Sequence, residues 1–123
     1  MALCLLIDEC TIQRDLLRAI ESFCTKENVR VDVLCVGDVG GPAPGTLDPE
    51  LIQWSIRLNR AIVSHDTNTM IGHYHQAVKA GQIPPPLFIR RSRSGIGELA
   101  EAVVMAACVY GPPDYGRVIW IPE

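Results

Sequence analysis

Five short apolar runs alternate with stretches whose apolar residues recur at helical spacing, and this alternation constrains the fold more than any other feature. Leu3 to Ile7 is continuously apolar, as expected of a strand buried on both faces. Residues 11–26 then carry Ile12, Leu16, Leu17, Ile20, Phe23 and Cys24, a stripe of helical period. Val29 to Val36 reads as a second strand and leads into Gly37 to Gly45, whose glycines and prolines permit only a loop. A second helix begins near Pro49, with Leu51, Ile52, Ser55 and Ile56 on one face, and Ala61 to Ser64 forms a third strand. The third helix spans residues 69–80 and stops at Gly81, a C′ glycine. Pro84, Pro85 and Pro86 force an extended approach to a fourth strand, Leu87 to Arg90. Ser94 is placed to cap a fourth helix bearing Ile96, Leu99, Val103, Val104 and Ala107. Gly111, Pro112 and Pro113 end it, and Arg117 to Ile121 is the last strand.

Strict βαβα alternation implies a parallel sheet with helices on both faces. The prediction is a single α/β domain over residues 1–123, a three-layer α/β/α fold with a mainly parallel sheet of about five strands. A chain of 123 residues can bury one core without staples, and 48% hydrophobic against 20% charged residues excludes disorder for most of it. The five cysteines are odd in number and lack C-x-x-C spacing, so they read as reduced thiols and predict a cytoplasmic setting. Cys4 and Cys35 fall in strands, and Cys24 and Cys108 on apolar helix faces. Their spacing offers no zinc site. No apolar run reaches membrane-spanning length, and the start lacks the basic residues of a signal peptide.

Three acids stand where a strand hands over to a helix or a helix begins. Asp8 closes the first strand with Glu9 beside it, Asp66 closes the third, and Asp48 opens the second helix. Open α/β sheets bind ligands outside the carboxyl ends of their strands, so acids gathered there suggest a cation site. Divalent ions held by carboxylates commonly serve phosphate chemistry. Each acid also has a plainer role. Asp48 before Pro49 suits an N-cap, and Asp66 suits a cap or an Asx-turn around Thr67 and Asn68. Asp8, directly after four apolar residues, is harder to explain structurally, because a buried carboxylate needs partners.

Arg90, Arg91 and Arg93 follow the fourth strand and should emerge at the same sheet edge. A solvated loop is the ordinary role for such residues, and holding phosphates beside a metal is the functional one. His73 and His75 lie two apart and cannot share a metal on one helix face, and His65 lacks the further histidines of a His-Asp phosphohydrolase. The glycine-rich loop has neither G-x-G-x-x-G nor a G-K-[ST] ending, and no serine sits in G-x-S-x-G. A net charge of -3 opposes global attraction to nucleic acid without excluding a local basic patch.

Leu-Ile-Asp-Glu near the start, a glycine-rich loop into Leu-Asp-Pro-Glu-Leu-Ile, and Ala-Ile-Val-Ser-His-Asp-Thr-Asn-Thr-Met together resemble the small PIN-like proteins of prokaryotes. These are relatives of the ribonuclease toxins of toxin–antitoxin pairs. The resemblance runs over almost the whole chain and maps the family's acidic positions onto Asp8, Asp48 and Asp66, with Glu9 and Asn68 as auxiliary groups. Two departures stand out. Cys10 occupies a position where the family commonly has Asn, and the fourth acid of larger members is Asn68 here.

The resemblance implies a Mg²⁺- or Mn²⁺-dependent ribonuclease, with Asp8, Asp48 and Asp66 as metal ligands and Arg90, Arg91 and Arg93 on substrate phosphates. The partners expected are an RNA substrate, an antitoxin protein and a second copy of the chain, with no membrane. Two other classes compete with this reading. A receiver-like signalling domain has the same α/β plan and an acidic pair like Asp8-Glu9, but residues 87–93 and 117–123 supply no Lys for a phosphoryl group. A non-catalytic interaction module is the third.

Overall fold

The computed structural model describes residues 2–65, 69–91 and 94–122. Its elements run β1 (Cys4–Ile7), α1 (Gln13–Glu27), β2 (Val33–Cys35), α2 (Asp48–Leu58), β3 (Arg60–Ser64), α3 (Thr69–Lys79), β4 (Leu87–Arg90), α4 (Ile96–Val109), a 3₁₀ turn (Pro112–Asp114) and β5 (Val118–Ile121). The strands form one sheet, all pairs parallel, in the order β2-β1-β3-β4-β5. Alternate side chains of each strand enter opposite layers, which is why the strand interiors are apolar on both faces. Leu5 and Ile7 join Leu16 and Ile20 of α1 and Leu99, Val103 and Val104 of α4 in one core. Leu6 joins Leu51 and Ile52 of α2 and Met70 and Tyr74 of α3 in the other. The predicted three-layer α/β/α architecture is therefore the one observed.

Helix ends follow local chemistry. Gly81, at φ +92°, closes α3: its N–H donates to the Val78 carbonyl and the Gln82 N–H to that of Ala77, both at 3.0 Å. Asn28 and Asn59 take the same left-handed conformation after α1 and α2, a position asparagine tolerates better than most residues. The Tyr74 hydroxyl, buried inside the second core, donates to the Pro85 carbonyl at 2.8 Å and fixes the proline run that leads into β4. Burial pushes that phenol well above its ordinary pKa.

Several local expectations need correction. The second strand is confined to Val33–Cys35 instead of beginning at Val29. Pairing starts where the Leu5 N–H donates to the Asp32 carbonyl. One step earlier, the Leu3 N–H goes to Ala107 of α4 (2.8 Å in both), so the preceding segment has no partner strand beside it. Asp48 is not an N-cap: Leu47, in extended conformation, holds that position, and Asp48 lies inside the first turn of α2. Nor does Ser94 cap α4, whose N-cap is Gly95 with no side-chain bond. Cys108 is exposed rather than packed. Among the described residues no helix is long and apolar enough to cross a membrane.

Candidate functional site

The sheet order reverses between β1 and β3: the chain leaves β1 for β2 on one side and returns to β3 on the other. At such a switch point the connections diverge and leave a crevice at the carboxyl ends of the strands. Asp8 stands at its floor, one residue beyond β1, with its N–H still bonded to the Val63 carbonyl of β3 at 3.0 Å. Its half-buried carboxylate takes two hydrogen bonds, from the Glu9 N–H to Oδ1 at 2.8 Å and from the Ser64 hydroxyl to Oδ2 at 3.1 Å. Burial nevertheless raises the Asp8 pKa above the ordinary carboxylate value. The negative charges of Asp48 and Glu9 push the same way, while the Ser64 and Glu9 hydrogen bonds oppose the rise.

Asp48 comes to the crevice by way of the glycine-rich loop. Glu9 is exposed and turns from Asp8 to that loop, where its Oε1 accepts the Gly45 N–H at 2.6 Å. Gly45 sits at φ +83°, a conformation that favours glycine. The strand end is thereby tied to the loop three residues before Asp48. The Asp48 carboxylate in turn accepts the Thr69 hydroxyl at 2.6 Å, from the first residue of α3. Ser64 thus bonds Asp8, and Thr69 bonds Asp48, from the two ends of the β3–α3 connection. Asp66 and Asn68 fall within that connection and lie outside the described residues, as does Arg93 after β4.

The two described arginines part company. Arg90 is half-buried at the end of β4, and its guanidinium donates to the hydroxyl and the carbonyl of Ser94. That hydroxyl also donates to the Arg91 carbonyl at 3.1 Å, so Ser94 orients the arginine instead of capping α4. Arg90 has no carboxylate partner among the described residues, whereas Arg18, Arg60 and Arg117 each have one. Its charge is felt on the crevice side. It lowers the pKa of Cys10, although burial, the larger effect, and Asp8 raise that thiol. Burial first and then Arg90 lower the pKa of His65, whose Nε2 is buried without a hydrogen-bond partner among the described residues. Arg91 is exposed and pinned to the far side of the sheet edge. Its Nε donates to the Pro122 carbonyl and its N–H to the Ile121 carbonyl, both at 2.7 Å.

Gln13, unmarked by any sequence signal, holds the crevice floor together. Its side-chain amide donates to the carbonyls of Ile7 and Val36 at 3.2 Å and of Asp8 at 3.4 Å, joining the ends of β1 and β2. His73 and His75 lie on α3, separated in direction as their spacing requires.

Among the described residues no three His, Cys, Asp or Glu side chains are grouped to hold one ion. The carboxylates whose charge reaches Asp8 are Asp48 and Glu9. Asp8 and Asp48 are hard oxygen donors, each with one oxygen fixed by a hydroxyl. Mg²⁺ is commonly bound by one or two carboxylates with water and substrate phosphate completing the shell, so these residues fit such an ion. No family model matches the chain, and neither a curated protein nor a solved structure is detectably similar to it.

Proposed function

We propose that this chain is a PIN-like, Mg²⁺- or Mn²⁺-dependent ribonuclease acting at the crevice between β1 and β3, in the manner of the toxin of a toxin–antitoxin pair. The observation that carries the reading is that Asp8 and Asp48 are each held by a hydroxyl, of Ser64 and of Thr69, from the two ends of the β3–α3 connection at the switch point. The negative charge of Asp48 adds to the rise in the Asp8 pKa that burial causes. A bound divalent ion supplies a polarised phosphoryl oxygen and a water acidic enough to attack at neutral pH. Asp8 and Asp48 would hold it, joined by Asp66. Ser64 and Thr69 would orient the two described carboxylates, as outer hydrogen bonds do in metal sites generally. Arg90 would take a phosphate beside the scissile bond, since among the described residues its guanidinium is held by the neutral Ser94 and not by a carboxylate. RNA as the substrate and an antitoxin as the partner rest on the resemblance alone.

The test is cleavage of a mixed-sequence RNA by the purified chain with Mn²⁺, with Mg²⁺ and with a chelator, beside Asp8→Asn and Asp48→Asn. Cleavage that needs the metal and is lost in both variants supports the reading. Cleavage equal in the variants and wild type overturns it.

One observation favours a second reading. The strand order 2-1-3-4-5 is that of flavodoxin-like domains, which include receivers. A receiver would be phosphorylated by a small phosphodonor such as acetyl phosphate, seen as an added phosphoryl mass, and would leave RNA intact.

A further inference from the structure

We propose that the groove between α2 and α3 holds a nucleobase of the RNA strand whose phosphate lies in the crevice, adenine in preference to guanine; the inference rests on the ribonuclease reading. The groove begins at the crevice and is bridged by hydrogen bonds at both ends. At the crevice end the Thr69 hydroxyl of α3 donates to the Asp48 carboxylate of α2 at 2.6 Å. At the far end the side-chain amides of Gln53 and Gln82 bond each other reciprocally, at 2.9 and 3.0 Å. From Asp48 to Gln53 is about 7.5 Å of helix, room for one base and not for a run of them. Pro49, directly after Asp48, lines the groove, as does His73, one turn beyond Thr69 on the same face of α3. The space between the helices is about 320 Å³, the size of a small-ligand site.

The lining selects the occupant. Ile52 and Ala77, both buried, form an apolar floor, with Pro49 and the His73 ring beside it. Gln53, Gln76 and Gln82 supply amides, and no lining side chain carries a carboxylate, an ammonium or a guanidinium group. A phosphate finds no counter-charge there. A neutral planar ring instead meets apolar surface at its face and amides at its edge, as unstacked RNA bases do when proteins bind them. A primary amide has two N–H donors and two acceptor lone pairs, so the Gln53–Gln82 pair leaves each amide a donor and an acceptor for a ligand. A donor beside an acceptor matches the N6 and N7 edge of adenine. The O6 and N7 edge of guanine presents two acceptors, which suit the arginine or lysine that the groove lacks.

The test is titration of the full chain in chelator with adenosine 5′-monophosphate, guanosine 5′-monophosphate and ribose 5-phosphate, followed by nuclear magnetic resonance of the glutamine side-chain amides. The adenine nucleotide should shift the signals of Gln53, Gln76 and Gln82 and bind about fivefold or more tighter than the guanine nucleotide. Ribose 5-phosphate should leave those signals in place. Gln53 and Gln76 are exposed, so Gln53→Ala and Gln76→Ala should keep the wild-type circular dichroism and lose the preference for adenine. A short oligoadenylate should displace the mononucleotide from the same signals and bind more tightly. Amide signals that do not move, a preference that survives both variants, or a mononucleotide that binds more tightly than the oligomer would overturn the proposal. These titrations need neither metal nor cleavage, so their failure is distinct from that of the ribonuclease reading, which the cleavage assay decides.

Discussion

The Ser64 hydroxyl donates to Asp8 Oδ2 at 3.1 Å across the β1–β3 pair, from a side chain with no solvent exposure. The bond links the fold directly to the chemistry assigned to the crevice, because with the Glu9 N–H on Oδ1 it fixes the orientation of the Asp8 carboxylate. Ser64→Ala should cost about 1–2 kcal/mol in urea unfolding, since it leaves a half-buried acceptor short of a donor. If Asp8 holds a cation, the same change should weaken Mn²⁺ binding roughly tenfold or more. Calorimetric titration of both proteins measures the second effect, and identical affinities would remove Ser64 from the site.

Asp8 itself gives a pH signature in the absence of metal. Its folded pKa is raised, so folding favours the neutral carboxyl. Stability from this group is full below the unfolded carboxylate value and is lost as pH rises through the folded one. Asp8→Asn, which cannot ionise, escapes that loss. Melting in chelator should therefore show the variant equal to wild type in acid and equal or more stable near neutrality. With Mn²⁺ the order should reverse, because only wild type is stabilised by the ion. A variant less stable than wild type at neutral pH without metal would make Asp8 a structural acceptor.

Gln13 carries the third expectation. Its amide spans the carbonyls that end β1 and β2, which no other side chain joins among the described residues. Gln13→Ala should destabilise the protein by about 1–3 kcal/mol in urea and reduce crevice activity along with it. A neutral result would show that water replaces the amide there.

Periodicity made the layers legible because each strand and helix is amphipathic or apolar on its own, so Leu16 and Ile20, or Leu51 and Ile52, announce a buried face without knowledge of the neighbour. The features that sequence reading misplaced depend on contacts far along the chain. Asp48-Pro49 has the composition of a cap, but Thr69 claims the carboxylate from 21 residues away. Ser94 also has cap chemistry, yet Arg90 occupies its hydroxyl. Gln13 gave no signal because a lone glutamine early in a helix acquires meaning only when Val36, 23 residues on, is folded beside it. The strand order was likewise beyond reach, since alternation predicts parallel strands and says nothing of which are neighbours.

Cys35 offers a check on the core. The side chain is 1% exposed, and burial pushes the thiol up to about 11. At pH 8 about one such thiol in a thousand is ionised, and only the thiolate reacts with iodoacetamide. Peptide mass spectrometry should find Cys35 unmodified in the folded protein and fully alkylated in urea. Ready alkylation under native conditions would mean that β2 detaches from β1.

The arginines after β4 give the sharpest separation between solvation and recognition. Arg90 is half-buried, held by Ser94, and electrostatically felt at His65 and Cys10. Arg91 is exposed and bonded to the Pro122 carbonyl. If RNA lies in the crevice, its phosphates meet Arg90 and not Arg91. Arg90→Ala should then weaken RNA binding and reduce the slope of log affinity against log salt by about 1. Arg91→Ala should leave the slope alone and change stability by less than about 1 kcal/mol, as expected for a solvent-exposed contact. Binding measured by anisotropy at several salt concentrations, with inactive Asp8→Asn as the background, distinguishes the two. Equal slopes in both variants and the parent would leave Arg90 with only its bonds to Ser94, and the phosphate contact would have to be sought elsewhere along the crevice.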